Sequence, residues 1–265
     1  MILGCVSYEC GLYDSVLYTG HGGWAVHRLA GVGMNIVAYG GGTNSTALLI
    51  ECVNRGIPVA LILFADTGGE RPETYDYIKL FSQWLVDHNY PEITFVSEKQ
   101  TLEEDCLKRK ALPGIAYGFK SCSEHYKIRP QKRYLKAQGI KDYTSIVGID
   151  ADEAHRAVRD DVWYPLLEWD MGRAECIDTI CKSGLPQPGK SSCYFCPSMR
   201  SSEIRRLNIT NPELIKRALA MEENAQLTQV KGLGRSYSWK SLLATDDMFD
   251  DEFNQIDQVC DCYDG

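Results

Sequence analysis

The apolar positions of the chain fall into short unbroken runs, set apart by stretches of helical period. Ile36 to Tyr39 forms the first run, Pro58 to Phe64 the second, Ile93 to Val96 the third and Ser145 to Ile149 the fourth. Runs that are apolar on both faces mark strands buried within a parallel sheet. Helices are predicted from Thr46 to about Arg55, closed by Gly56, and from Tyr75 to Asp87. Two more run from Arg173 to Ser183, stopped by Gly184, and from Asn211 and Pro212 to about Asn224. Strands alternating with helices predict an α/β fold, a parallel sheet with helices on both faces, plus a small, mainly helical C-terminal region.

The first strand-to-helix junction carries chemistry. Tyr39 is followed by Gly40, Gly41 and Gly42, then by Thr43, Asn44, Ser45 and Thr46 where a helix begins. Contiguous glycines let backbone N–H groups approach an anion without a Cβ in the way, and the helix start adds hydroxyl donors and the positive end of its dipole. The stretch reads as a phosphate cradle; the alternative is a glycine-rich turn that only joins strand to helix. It is not a Walker loop, since no Gly-Lys-Ser/Thr follows, nor a dinucleotide fingerprint, whose glycines are spaced. The second strand ends in Asp66, Thr67, Gly68 and Gly69, with Pro72, Glu73 and Thr74 opening the next helix. Ligands of open α/β sheets bind beyond the carboxyl ends of the strands, so this loop is expected beside the glycine loop. The fourth strand leads through Gly148 to Asp150, Asp152, Glu153, His155 and Arg156. There Gly148 permits close approach to a phosphate, Arg156 can neutralise it, and the acids either help hold Mg²⁺ or cap the following helix.

Composition sharpens this picture. A chain of 265 residues, 44% of them hydrophobic, can bury a full core. Residues 34–205 are expected to form one substantial domain, with residues 1–33 as an N-terminal extension and 206–265 as a helical region ending in an acidic tail from Asp246. Met34 falls directly before the first strand, so the functional protein is expected to begin near it. A net charge of −8 argues against a surface built for nucleic acid. Within it, Lys120, Lys127, Arg129, Lys132, Arg133 and Lys136 form a basic cluster with Tyr126 and Tyr134 interleaved. That cluster is either a solvated helix face or an attractor for phosphate, sulfate or a polynucleotide backbone. No stretch is long and apolar enough to span a bilayer. Eleven cysteines, unevenly placed and with no convincing secretory signal, fit a reducing cytoplasm with some thiols as metal ligands better than a disulfide scaffold. Among them, Cys193-Tyr194-Phe195-Cys196-Pro197 points two thiolates at one centre.

These segments, in this order, resemble the phosphoadenylyl-sulfate (PAPS) reductase-like branch of the PP-loop, or N-type ATP pyrophosphatase, superfamily. The PP-loop pattern Ser-Gly-Gly-x-Asp-Ser falls on Gly40 to Ser45, with Gly40 in place of the first serine and Asn44 in place of the aspartate. Asp66-Thr67-Gly68 with Pro72-Glu73-Thr74 is similar to Asp-Thr-Gly-x-x-x-Pro-Glu-Thr, and Cys122, Lys127 and Pro130 to Cys-x-x-x-x-Lys-x-x-Pro. Gly148 to Arg156 resembles Gly-x-Arg-x-x-Glu-x-x-Arg, with Asp150 where an arginine is common, and Tyr164-Pro165-Leu166 with Trp169 resembles Tyr-Pro-Leu-x-x-Trp. The resemblance covers about residues 34–205. It implies a Rossmann-like (HUP-type) parallel sheet and a site for ATP or a related adenine nucleotide with Mg²⁺. That site would comprise Tyr39, Gly40, Gly41, Gly42, Thr43, Asn44, Ser45, Thr46, Asp66, Thr67, Gly68 and Gly148. Lys127 and Arg156 are then the catalytic cations.

The resemblance also bears on the cysteines. Iron–sulfur members take cluster ligands from the segment that holds Cys122, which makes Cys122 the first partner for Cys193 and Cys196. Cys176 or Cys181 is the second; they lie about 140° apart on a helix, and Cys181 sits nearer the apolar Ile177 and Ile180, leaving Cys176 the freer. A [4Fe–4S] cluster, a zinc ion and a redox dithiol are three open readings. The implied activity is cleavage of the α–β phosphate bond of ATP to adenylate an acceptor, a small molecule or a nucleic acid, with sulfur transfer as its use. A sulfonucleotide (APS/PAPS) reductase and a non-catalytic nucleotide-binding regulatory or interaction protein are the alternatives, the latter favoured by Asn44. Glu9-Cys10-Gly11-Leu12 is similar to the reductases' catalytic Glu-Cys-Gly-Leu-His, but stands at the wrong end with Tyr13 for the histidine, and Cys260 and Cys262 lack that sequence. An oligomer is compatible with all of these readings.

Overall fold

The computed structural model describes residues 17–19, 23–25, 34–116 and 119–245. The Glu9 to Leu12 tetrapeptide and the acidic tail with Cys260 and Cys262 lie outside the described residues. A small antiparallel pair, β1 (Leu17–Thr19) and β2 (Gly23–Ala25), precedes the main body. There β3 (Met34–Tyr39), α1 (Thr43–Asn54), β4 (Leu61–Asp66), α2 (Pro72–Asp87) and β5 (Ile93–Ser97) alternate. Next come α3 (Leu102–Arg109) and the short pair β6 (Ile115–Ala116) and β7 (Phe119–Lys120). A helix then starts as α4 (Ser121–Ser123), widens into a π turn over Glu124–Ile128 and tightens again as α5 (Arg129–Ala137). After β8 (Tyr143–Val147), a 3₁₀ turn over Ala151–Arg156, β9 (Val162–Trp163) and α6 (Pro165–Glu168), the chain is helical: α7 (Arg173–Lys182), α8 (Ser201–Thr210), α9 (Pro212–Asn224) and α10 (Trp239–Ala244).

The five main strands form one parallel sheet in the order β5-β4-β3-β8-β9. Ile36 lies opposite Leu61 on one side and Ser145 on the other, so β3 is central. From β3 the chain builds outward through β4 and β5, then returns to add β8 on the opposite side. This reversal opens a crevice at the carboxyl ends of β3 and β8, where such sheets take their ligands.

Alternate residues of β3 feed two cores. Val37 and Tyr39 join Ile62, Phe64 and Ile146 under Leu48 of α1, Phe81 of α2 and Ile180 of α7. Ile36 joins Leu63, Ala65 and Val96 under Leu135 of α5. Helices therefore cover both faces, and each fully buried large aliphatic or aromatic side chain contributes roughly 1.5–3 kcal/mol. The C-terminal helices pack elsewhere: Ile204, Leu207, Ile215 and Trp239 share a core with Leu102 and Cys106 of α3, Tyr126 of the π turn, and Tyr194 and Phe195.

Element boundaries shift from the sequence expectation in one instructive place. α1 begins at Thr43 rather than Thr46, because Gly42, extended at φ −108° and ψ −177°, is the N-cap. Thr43, Asn44, Ser45 and Thr46 thus form the helix's buried first turn.

Candidate active site

Three loops meet at the crevice. In the first, Tyr39 Oη pairs with Thr46 Oγ1 at 3.1 Å, Gly40 N donates to Ser45 Oγ at 3.2 Å, and Ser45 Oγ donates to Gly42 O at 3.3 Å. The hydroxyls of Ser45 and Thr46 thereby hold the glycine loop in shape. In the second, Asp66 Oδ1 accepts from Gly68 N and from Tyr75 Oη, both at 2.8 Å, which ties the end of β4 to α2.

The third loop follows β8. A Cβ on Gly148 would stand 2.9 Å from both Cα and N of Ser45. The missing side chain thus lets the β8 loop lie against the backbone of α1's first turn. Asp150, 0% exposed, caps the 3₁₀ turn by accepting Glu153 N at 3.1 Å through Oδ1. Its Oδ2 has no hydrogen-bond partner among the described residues. Burial pushes the Asp150 carboxyl above its ordinary pKa, and a hydrogen bond from Asn44 opposes the shift. Asn44 also donates to Glu153 Oε2 at 3.4 Å and accepts at Oδ1 from Arg173 Nη1 at 3.2 Å. Glu153 is ion-paired with Arg156 at 2.6 Å, and Asp152 Oδ2 accepts Arg173 N at 2.7 Å. Two carboxylates, Asp150 and Glu153, and one arginine, Arg173, therefore engage Asn44.

The cysteine loop lies directly on the glycine-bearing loops. Ser191 Oγ donates to Gly40 O, Tyr194 N donates to Gly69 O at 2.8 Å, and Thr67 Oγ1 is 3.1 Å from Cys193 Sγ. A Cβ on Gly69 would meet the Phe195 ring at 2.8 Å and Cys193 Sγ at 3.2 Å, so this approach requires glycine. The Cys-x-x-Cys turn and the nucleotide-type loops, two separate signals in the sequence, form one place in the fold.

Cys122 and Cys193 border the same apolar cluster, and buried Cys106 belongs to it. Cys176 belongs to a different core, between α7 and the sheet. Here the helical-face expectation is corrected: Cys176 is buried and Cys181 exposed, because α7 packs on the main core through Cys176 and Ile180, one turn apart. Among the described residues no three histidine, cysteine, aspartate or glutamate side chains are grouped so as to hold a metal ion by themselves.

Lys127 is 9% exposed in the π turn, which packs against β4. Such turns recur at functional sites. The rest of the basic cluster is divided: Arg133 binds Glu98 at 2.9 Å and Ser97 O at 3.0 Å, and Arg129 faces Glu124 at 3.5 Å. Two residues that build the site were not read from the sequence as part of it: Arg173 and Ser191. Ser191 stands two positions before Cys193 and Arg173 opens a helix after Gly172, positional signals that acquire meaning only from what each side chain meets across the fold.

Fold and loops together define a doubly wound α/β protein with a glycine-rich loop at its switch point. Residues 34–170 match the phosphoadenosine phosphosulfate reductase domain, and the chain belongs to that family. Members are typically enzymes acting on adenine nucleotides. The chain is also similar to an uncharacterized protein of Methanocaldococcus jannaschii, 23% identical over an alignment of 223 residues that covers 77% of this chain and 51% of the relative. It thus spans about half the length of that relative. Among the described residues no helix is long and apolar enough to cross a membrane.

Proposed function

We propose that the protein uses ATP to adenylate an acceptor oxygen, releasing pyrophosphate. The acceptor oxygen bonds to the α-phosphorus, the bond from that phosphorus to the β-phosphate oxygen breaks, and the acceptor's proton passes to solvent. The observation that carries this reading is the meeting of the Gly40 loop, the Asp66 loop and the Gly148 loop at one crevice, clamped by Ser191 on Gly40.

In this reading the first turn of α1 faces the phosphates, with Tyr39, Gly40, Gly41, Gly42, Thr43, Asn44, Ser45 and Thr46 as its lining, while Asp66, Thr67, Gly68 and Gly148 shape the walls. Lys127 and Arg156 stabilise the charge that builds on the departing pyrophosphate. Mg²⁺, when bound, neutralises phosphate charge. An adenylated oxygen is a leaving group, so displacement of AMP by a sulfur nucleophile is the use that the neighbouring thiol of Cys193 favours. Cys122, Cys193 and Cys196 are the thiols nearest in role to a [4Fe–4S] or zinc site, with Cys176 apart from them in the packing; their arrangement does not make a closed site, and no step is assigned to a metal there. A reducing cytoplasm suits cysteines so placed.

The test is anaerobic purification, then measurement of AMP and pyrophosphate from ATP and Mg²⁺ across small-molecule and nucleic-acid acceptors, with iron and zinc counted in the same sample. Equal release of AMP and pyrophosphate, lost in Lys127→Ala, is the expected result; ADP and phosphate as products sink the reading. A sulfonucleotide reductase is the second reading, favoured by the same contact of Cys193 with Thr67. It requires sulfite release from adenylyl sulfate or its 3′-phosphate with a dithiol reductant and no ATP.

A further inference from the structure

Asp150 lies just past the carboxyl end of β8 and is hydrogen-bonded by Asn44 in the first turn of α1. It is 0% exposed, one oxygen caps the 3₁₀ turn, and the other has no partner among the described residues. A buried carboxylate oxygen without a partner costs several kcal/mol in general, so such an atom calls for a bound ion, water or ligand.

The neighbouring acids are already engaged. Asp152 takes the backbone N–H of Arg173, and Glu153 is held by Arg156 and Asn44. Asn44 itself presents no charge, and its oxygen accepts from Arg173. A carboxylate there would stand against both Asp150 and Glu153, whereas the amide can donate to them. Asp150 Oδ2 is therefore the buried carboxylate oxygen of this wall that is left for a further ligand.

We infer that Asp150 supplies the one protein carboxylate to a divalent cation carried in by the nucleotide's phosphates, so that the cation ligand sits on the β8 loop and not on α1. Mg²⁺ needs only one or two carboxylates when phosphate oxygens and water complete its shell, which fits a site lacking a three-ligand cage of its own. The inference rests on the nucleotide reading above.

Calorimetric titration of the full chain with α,β-methylene-ATP, with and without Mn²⁺, tests it. In the wild type, Mn²⁺ is expected to tighten binding at least about tenfold. Asp150→Asn should lose most of that factor and keep the metal-free affinity; Asp152→Asn should keep both. A factor retained in Asp150→Asn, or lost equally in Asp152→Asn, overturns the assignment. Because Asp150→Asn also disturbs a cap, electron–nuclear double resonance on the wild-type Mn²⁺ complex with ¹³C-carboxylate aspartate gives an independent reading: coupling to an aspartate carbon is expected, and its absence overturns the inference. Nucleotide binding with no metal factor removes this inference alone. No binding of the nucleotide under either condition removes the proposed function, and this inference with it.

Discussion

Thr67 and Cys193 touch: hydroxyl oxygen and sulfur are 3.1 Å apart, across 126 residues of sequence. The same hydroxyl accepts Gly69 N at 3.2 Å, and Thr67 is 2% exposed. One small side chain therefore shapes the loop after β4 and seats the cysteine loop upon it.

Thr67→Val keeps the volume and removes both contacts. Each lost hydrogen bond of this kind is worth about 1 kcal/mol, so urea unfolding should show a loss of roughly 1–2 kcal/mol. Alkylation of Cys193, followed by mass spectrometry, should speed up as its loop loosens. An unchanged rate with unchanged stability would mean that Thr67 does not seat the loop.

Asn44→Asp restores the residue common in PP-loops, yet here it should weaken the protein. The new carboxylate would lose the donor that now meets Asp150 and Glu153 and would repel both, with only Arg173 as compensation. The expected outcome is a lower melting temperature and weaker binding of ATP than in wild type. Tighter binding or faster turnover would instead favour a regulatory protein that has lost its catalytic aspartate.

Burial pushes the Cys52 and Cys176 thiols up to about 12. Both should therefore resist alkylation in the native protein at pH 8, while exposed Cys181 reacts at once. The sign for stability follows: in the unfolded chain these thiols ionise near pH 8.5, in the native state only near 12, so the native state holds more protons between these values. Stability should fall as pH rises through that window, and Cys52→Ala should flatten the fall. A pH profile of the melting temperature for both proteins is the check.

The loop over Lys231 to Arg235 joins α9 to α10. Glu222, 8% exposed, accepts Leu233 N at 2.7 Å, Trp239 N at 2.9 Å and Lys240 N at 3.2 Å. Glu222→Ala would leave buried N–H groups unpaired, at about 1–3 kcal/mol each. Unfolding of the C-terminal helices, followed by hydrogen exchange, should then precede that of the sheet. Nucleotide affinity should change little, as expected of a connection and not a flap.

How much of this was legible depended on distance along the chain. β3 and β4 announced themselves because inner parallel strands must be apolar on both faces, the edge strand β5 by its short apolar run, and the loops after β3 and β4 because glycine, aspartate and threonine cluster at their ends. The π turn left no such mark, since one extra residue per turn changes no residue type. α3 was not read from the sequence: it has too few apolar residues to show a period, and the reciprocal cap of Thr101 and Glu104 is the signal that would have found it. Cys176 and Cys181 were ranked the wrong way round because the buried face of α7 is chosen by α1, more than a hundred residues earlier. The contact of Arg173 with Asn44 spans 129 residues, and only the folded sheet brings it about.

The bond from Ser191 to Gly40 spans 151 positions. It has a consequence for the order of events at the ribosome. The strands and helices of the first half can form as they emerge, since domains fold largely from the N-terminus onward during synthesis. The glycine loop, though written near the beginning, lacks its clamp until the cysteine segment has also left the exit tunnel. At 5–20 residues per second, the interval between the two is roughly eight to thirty seconds. A chain released short of residue 191 would own the whole glycine loop and still lack the side chain that fastens it.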